Sequence, residues 1–484
     1  MAARPPRIER RSIDAIPAAE RQGTPVSQLT LWLGANLQIT AIVDGALAVV
    51  FGADALWAIV GLLVGNVLGG AVMALHSAQG PRLGLPQMIS SRAQFGVFGA
   101  IVPLLLVIVM YLGFTATGTV LSGQAIDAFL GVDSPAVGIC LFIAIVAVIA
   151  IVGHDLIHAV GRFASVIGVL GFGYLAVRLF TQHDVGAAFA HPTFGFATFL
   201  LAISLGAGWQ LTYGPYVADY SRYLPADTPA RSTFWATFAG SVVGSQASMT
   251  FGAVVAAVAG DAFLSGQVSW LGDLAGPAAL AALIYLLIVV GKLTVTCLNA
   301  YGSFMCAATT VTAFTGQRRM GRGARAGFIL VMLLVSMAIA LWASADFLAN
   351  FKNFVLLLLM VFTPWSAINL TDYYLVSKEK VDLPALYDPD GRYGRWNAAA
   401  LVTYAVGIVV QVPFLAQSLY PGPLTERFGG ADVSWLVGLV VPAVVYYLWA
   451  SRQHRAPAEM IGFPEAATPV GDAGHGIAET AVPH

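Results

Sequence analysis

A lysine, two threonines and an asparagine stand inside the otherwise apolar run LIVVGKLTVTCLNAYGSFMC, residues 287–306. Lys292 and Asn299 are seven residues apart, two turns of helix, so they share a face, and Thr296 is an i,i+3 neighbour of Asn299. A second run, LWLGANLQITAIVDGALAVV (31–50), carries Asn36, Gln38, Thr40 and Asp44. A third, SLGAGWQLTYGPYVADYSRYLP (204–225), places Trp209 and Gln210 among Gly206, Gly208, Gly214 and Pro215. Ammonium, amide and hydroxyl groups bind and orient; they offer no nucleophile–base pair. A flat heterocycle needs a ring to stack on and an amide to read its edge, and Trp209 with Gln210 has both. A tryptophan in an apolar chain more often anchors at a membrane surface, but Trp209 lies deep in its run. Asn36 and Gln38 serve either a ligand or neighbouring helices. A lysine in such a run must snorkel or find a counter-charge. Asp44, the only acidic residue deep in another run, is the candidate partner.

Other patterns carry less. His154 and His158 have the spacing of a metal pair on one helix face, but a third ligand is missing and a solvated turn explains them. No GxxxxGK[ST] or HExxH sequence occurs, which argues against a nucleotide-driven pump or a metalloprotease. Cys140, Cys297 and Cys306 all lie in apolar blocks without a CxxC pair and read as buried inert thiols.

The elements that must position these residues follow from composition. Of 484 residues, 58% are hydrophobic and 10% charged, with mean hydropathy +0.78. So few charges cannot cover a soluble surface. The apolar residues fall into blocks of bilayer-crossing length: 28–50, 55–77, 97–127, 135–153, 158–181, 195–217, 233–259, 275–311, 327–345, 347–376, 397–418 and 434–451. Gly61, Gly65 and Gly69 in the second block are a close-packing helix face. Blocks one and six are interrupted by Gly or Pro, at Gly34 to Gly45 and Gly206 to Pro215. They lie five apart, as expected of paired broken helices at a midplane site. The first residues hold five arginines and no apolar core, so they are not a signal peptide. Net charge is −1, which suggests no nucleic-acid partner.

With the N-terminus inside, every Lys and Arg falls in an inside segment except Arg178 and Arg427 outside and Lys292 and Lys352 within spans. A missed or extra span would invert this pattern downstream. The expectation is an all-α polytopic membrane protein of twelve transmembrane helices with both termini cytoplasmic, in the cell inner (plasma) membrane. Arg82, Arg92, Asp219, Arg222 and Asp372 then cluster at inside helix ends, as gate ion pairs or as ordinary topology-setting charge.

Four stretches carry a family signature: GPRLGLPQMISSRAQFG (80–96), PYVADYSRYLP (215–225), INLTDYYLV (368–376) and DPDGRYGRWN (388–397). Together they resemble the nucleobase:cation symporter family, in its cytosine–purine permease branch. The resemblance implies a five-plus-five inverted-repeat transporter fold with two extra C-terminal helices. Its parts would be repeats at 26–182 and 183–377 and a loop with helices eleven and twelve (378–452), between tails (1–25 and 453–484) whose Ala, Pro, Gly and charge content reads as disordered. It implies a secondary active transporter, not an enzyme, without cofactor and coupled to H+ or Na+. The cargo would be a nucleobase or a related heterocycle such as allantoin, hydantoin or thiamine, carried by a monomer. Substrate contacts would come from Gln38, Phe114 with Tyr111 as alternative, Trp209 or Gln210, and Asn299. A cation would meet carbonyls near Gly34, Leu37 and Val290 and the hydroxyl of Thr294. Leu293 stands where some sodium-coupled relatives carry a hydroxyl, with Lys292 beside it. The charge pattern predicts that probes at either terminus react only from the cytoplasmic side; labelling of a terminal cysteine by an impermeant reagent in intact cells would contradict it.

Overall fold

The computed structural model describes residues 13–152, 154–316, 321–417, 420–453 and 455–463, with side chains 151–167 and 322 outside the description. The chain is a helical bundle. Its long helices are α1 (Pro25–Asn36), α2 (Ile39–Val50), α3 (Ala55–Ser77), α4 (Ile101–Leu130), α5 (Pro135–Val152), α6 (His154–Gln182), α7 (Phe196–Leu211), α8 (Ala230–Ala259), α9 (Ala278–Thr315), α10 (Arg322–Ala343), α11 (Phe347–Leu370), α12 (Ala398–Val409) and α13 (Ser434–Ala450). Local chemistry sets several ends. Pro25 starts α1, and the Asp54 carboxylate caps α3 by accepting from the Leu56 N–H at 2.9 Å. Large apolar side chains such as Leu68, Leu170, Val177, Phe180 and Val331 stay exposed on the outer helix faces, where lipid is their solvent.

By length and composition, five helical stretches among the described residues are fit to cross a membrane, one of them running 54 residues through α10 and α11. α1 and α2 form a further pair bent by 60°. Shorter apolar helices cover Pro135–Ala150, Phe196–Leu211, Ala398–Phe414 and Ser434–Ala450. α9 has 38 residues, about 57 Å at 1.5 Å per residue, well beyond a hydrocarbon core of about 30 Å. It must tilt or project.

The two interruptions are narrower than the glycine pattern suggested. The first is confined to Leu37 and Gln38, with Gln38 extended at φ −148°, ψ 158°. The second is the turn 212–217 between α7 and a short helix, Ala218–Ser221. Gly34, Gly45, Gly206 and Gly208 all remain helical. Two of them serve packing: a Cβ on Gly45 would lie 2.2 Å from the Met249 carbonyl oxygen, and one on Gly206 would lie 2.7 Å from that of Leu62. The tenth span ends in a π-helical turn, Thr371–Val376, and the eleventh in a short 3-10 turn, Val412–Phe414.

The tails also differ from expectation. Residues 13–25 are packed rather than loose: Ile13 and Ile16 are buried, and the Ile16 N–H donates to the Gly84 carbonyl at 2.9 Å. The Arg21 guanidinium donates to the Pro81 carbonyl at 2.6 Å, and the Gln22 N–H to that of Tyr223 at 2.7 Å. Near the other end, Ile461 exchanges backbone hydrogen bonds with Val381 and Leu383. The remaining tail residues, and the side chains of His154 and His158, lie outside the described residues. Cys297 and Cys306 are buried as expected, but Cys140 is exposed on α5.

The α3 glycine face packs on α7. Cβ atoms at Gly61, Gly65 and Gly69 would sit 2.7 Å from Ala202 Cβ, 2.2 Å from the Ile203 carbonyl oxygen and 2.7 Å from the Ala207 carbonyl oxygen. Backbone cannot yield as a flexible side chain can. Gly65→Val is therefore expected to cost at least about 1–3 kcal/mol, read as a lower melting temperature and a poorer yield of folded protein in detergent.

Candidate functional site

A helix broken inside hydrocarbon exposes carbonyls and N–H groups that water cannot reach. Here side chains take up the exposed carbonyls. Asn36 Nδ2 donates to the Trp32 carbonyl at 2.7 Å, Gln38 Nε2 to that of Ala35 at 2.9 Å, and the Ser248 hydroxyl to that of Asn36 at 2.8 Å. The Gly34 carbonyl accepts the Leu37 N–H at 3.3 Å. Asn36 is the hub: its Oδ1 accepts from Trp209 Nε1 (2.6 Å), the Tyr213 hydroxyl (3.1 Å) and the Ser245 hydroxyl (2.8 Å). α1 is thereby tied to α7 and α8.

Gln210 belongs to the same scaffold. Its Nε2 donates to Asn66 Oδ1 at 3.0 Å and the Ser245 hydroxyl at 3.1 Å, while its Oε1 accepts from the Ser241 hydroxyl at 2.6 Å. With both amide hydrogens and the oxygen engaged, this side chain has little left to offer a ligand. Trp209 points the other way, meeting Phe114 of α4 edge to face at 5.9 Å and 88°. Phe354 of α11 closes on Phe114 at 5.2 Å. A base sandwiched between parallel rings needs about 7 Å between them, two contact layers of about 3.5 Å, so these rings have closed on each other. Tyr111, one turn from Phe114, packs against Tyr216 at 5.5 Å and lies over Gly302 of α9. Asn299 is buried on α9, and its amide makes no hydrogen bond among the described residues.

A second locus lies where the break faces α9. Leu37, Gln38 and Ile39, Leu287, Ile288, Gly291 and Lys292 of α9, and Gly168 and Phe172 of α6 line a small cleft of about 30 Å³. Lys292 is 3% exposed and does not snorkel. Its ammonium donates to Gln38 Oε1 at 2.7 Å and to the Thr40 hydroxyl. Gly118 of α4 makes room: a Cβ there would lie 2.8 Å from Lys292 Cε. The expected Lys292–Asp44 pair is absent from this geometry, because Thr40 and Gln38 already hold the ammonium. Gly34 is helical and outside the cleft lining. Thr294 turns its hydroxyl back onto the Val290 carbonyl at 3.3 Å, which occupies two of the groups expected around a cation.

The loop motifs gather at the arginine-rich end. Gln79 Nε2 donates to Asn369 Oδ1, Asn369 Nδ2 to Gln94 Oε1, and Gln94 Nε2 to Asp372, each at 2.9–3.1 Å. Tyr446 also donates to Asp372 at 2.9 Å. Arg82 pairs with Glu379, Asp219 accepts the Gln87 N–H at 2.7 Å, and the Arg222 guanidinium donates to the Asp219 carbonyl at 3.2 Å. Arg92 donates to the Leu386 and Thr309 carbonyls at 3.1 and 2.9 Å. Sequence reasoning named Asn36 as a contact to a ligand or to neighbouring helices, and the structure shows the helix ties; it gave Thr40 no partner and did not name the α8 serines. The hydroxyl row Ser241, Ser245 and Ser248 on one face of α8 was the available signal for the hub.

A helical membrane bundle with a span broken at depth, polar side chains at the break and an aromatic cluster beside it is the architecture of a secondary transporter. The family described as "Permease for cytosine/purines, uracil, thiamine, allantoin" matches residues 15–438, and the chain belongs to it. It is 38% identical to the putative purine-cytosine permease YxlA of Bacillus subtilis, over 91% of this chain and 96% of that one. It is 26% identical to the purine-cytosine permease fcyB of Emericella nidulans, over 91% and 87%. In fold it is similar to the inward-facing conformation of Mhp1, with a TM-score of 0.74, 20% identity and coverage of 91% and 93%. It is also similar to closed Mhp1, a nucleobase-cation-symport-1 family transporter with bromovinylhydantoin bound, at TM-score 0.69, 20% identity and coverage of 92% and 96%. The protein is thus an integral membrane permease of small molecules, not an enzyme.

Because Gln210 holds three other side chains, Gln210→Leu should destabilise the fold, by about 1–3 kcal/mol for each buried group left unpaired. A melting temperature equal to wild type would remove Gln210 from the scaffold.

Proposed function

We propose that the protein imports a nucleobase, such as cytosine or a purine, by proton-coupled symport with alternating access. Its twelve spans would leave both termini cytoplasmic, with the first repeat at 26–182, the second at 183–377, and helices α12 and α13 added. The two breaks support the repeats: each falls in the first span of its half. The described helices, with α1 and α2 as one span, accommodate twelve crossings.

The base would enter between Phe114 and Trp209 as their rings part, with Asn299 reading its edge. Names among the relatives, and the hydantoin bound in Mhp1, support a small planar cargo. Allantoin or another ring of this kind is the second reading, favoured by the allantoin permease of Bacillus subtilis, 22% identical over 91% of this chain.

One observation carries the choice of ion. The Lys292 ammonium rests on Gln38 and Thr40, beside Leu37, one of the positions that the family resemblance assigned to a coupling cation, H+ or Na+. A fixed cation there repels a second one. Proton coupling meets the energetic need: one charge moved inward gains about 2.3 kcal/mol per 100 mV, enough for roughly a fifty-fold gradient. A channel could not accumulate its solute at all.

The test is a thermal-shift screen of purified protein with cytosine, adenine, hypoxanthine, uracil and allantoin, with and without sodium. At least one base should stabilise the wild type equally in both conditions, and Asn299→Ala should weaken that base about tenfold or more. A shift that requires sodium would refute proton coupling; an unchanged affinity in Asn299→Ala would remove that residue from the site.

A further inference from the structure

Asp44 is fully buried on α2, and neither carboxylate oxygen has a hydrogen-bond partner among the described residues. An ionised carboxylate without donors or a counter-charge is the costly form in such a place, whereas the neutral acid fits it. Nothing in base recognition as described above uses this residue. Its position does tie it to the coupling locus. Asp44 is four residues after Thr40, so the two side chains are neighbours on one face of α2, and Thr40 already receives the Lys292 ammonium. A lysine side chain has the length and torsional freedom to move by one helical turn, and Gly118, where a Cβ would lie 2.8 Å from Lys292 Cε, puts no side chain of its own in the way.

We propose that Asp44 is the proton-binding group of the transport cycle and that Lys292 is its alternate partner, a step that rests on the carrier reading above. In the state described here Asp44 holds the proton. On opening to the other side its O–H bond breaks, the proton passes to water in the opened cavity, and the carboxylate left behind accepts the Lys292 ammonium. Gln38 and Thr40 lose their donor in the same step, which loosens the contact between α9 and the break in the first span. Reprotonation of Asp44 returns the lysine to Gln38 and Thr40. The pairing that the sequence suggested thus belongs to a different state of the carrier.

The other titratable and charged groups on the elements around α2 can be named. Tyr213, just beyond α7, lies within electrostatic reach of Asp44, with its hydroxyl on Asn36. Lys352 of α11 sits over the Phe51 ring at 3.8 Å, past the far end of α2. α4 carries Tyr111 and Asp127, and Asp127 accepts the Gly138 N–H at 2.8 Å. α3 carries His76 near its end, beside Ser366 at 3.1 Å. Arg231 lies in the first turn of α8. Lys292 is the cation whose held position lies one turn from the carboxyl.

The experiment uses the full chain in liposomes with a labelled base that the screen identifies. Asp44→Asn should still exchange base across the membrane but lose pH-gradient-driven accumulation, about tenfold or more, within the range of ordinary coupling energies. Wild-type pH-driven accumulation in Asp44→Asn would overturn the proposal. Loss of exchange together with loss of base binding would also overturn it, placing Asp44 in the substrate site instead. Two further readouts use the wild type and do not depend on Asp44→Asn folding well, and the first of them needs no cargo. Purified wild type should show a melting temperature that falls as pH rises, because the neutral acid is the form that fits the buried position, a dependence that Asp44→Glu retains with a displaced midpoint. Base binding to wild type in weakly buffered solution should take up or release protons. A flat pH profile with no proton exchange would sink the proton site; failure of every base to bind would sink only the cargo.

Discussion

Asn36 accepts three hydrogen bonds on one side-chain oxygen and donates from its nitrogen to the carbonyl of Trp32. The constraint behind this arrangement is that a helix interrupted within hydrocarbon leaves peptide groups without water. Each must find a protein partner or the break is intolerable. Asn36, Gln38 and Ser248 satisfy the carbonyls around Leu37–Gln38, so the first span can bend by 60°. The same side chains fix where Trp209 stands and where Gln38 presents its oxygen. Stability and site are therefore one network.

That network meets its neighbours through two kinds of contact. On one side, α3, α7 and α8 meet through glycine faces and hydroxyl rows, with backbone nearly touching backbone and Gln210 linking all three. On the other side, α9 touches the break through Lys292, a long chain ending in a charge. An interface held by one displaceable ammonium can be switched; one held by close-packed carbonyls cannot. Alternating access needs both kinds of contact, because a ligand shifts the balance of states only through contacts that differ between them.

Packing at the arginine-rich end has its own chemistry. Gln79, Asn369, Gln94 and Asp372 form a relay of amides that ends on a carboxylate also held by Tyr446. The packed residues 13–25 add backbone contacts to the loops at Gly84 and Tyr223. The motifs that carried the family resemblance thus meet in space, although the longest gap between them in sequence is more than a hundred residues.

Much of this was legible in the residues themselves. Apolar block length set the helical membrane character, the glycine ladder of α3 announced a packing face, and polar residues within apolar runs marked Lys292, Gln38, Trp209 and Asn299 as informative. These are local signals: a side chain's cost in lipid and its phase on a helix are written in one stretch of chain. The sequence did not disclose that Gln210 faces α3 and α8 while adjacent Trp209 faces Phe114. Nor could it say that Thr294 turns back on its own helix, or that Lys292 reaches Gln38 and Thr40 and leaves Asp44 alone. Those outcomes depend on the rotation of each helix about its axis and on partners more than two hundred residues away. Only the packed tertiary structure sets such rotations, because they are fixed by how all the helix faces fit at once.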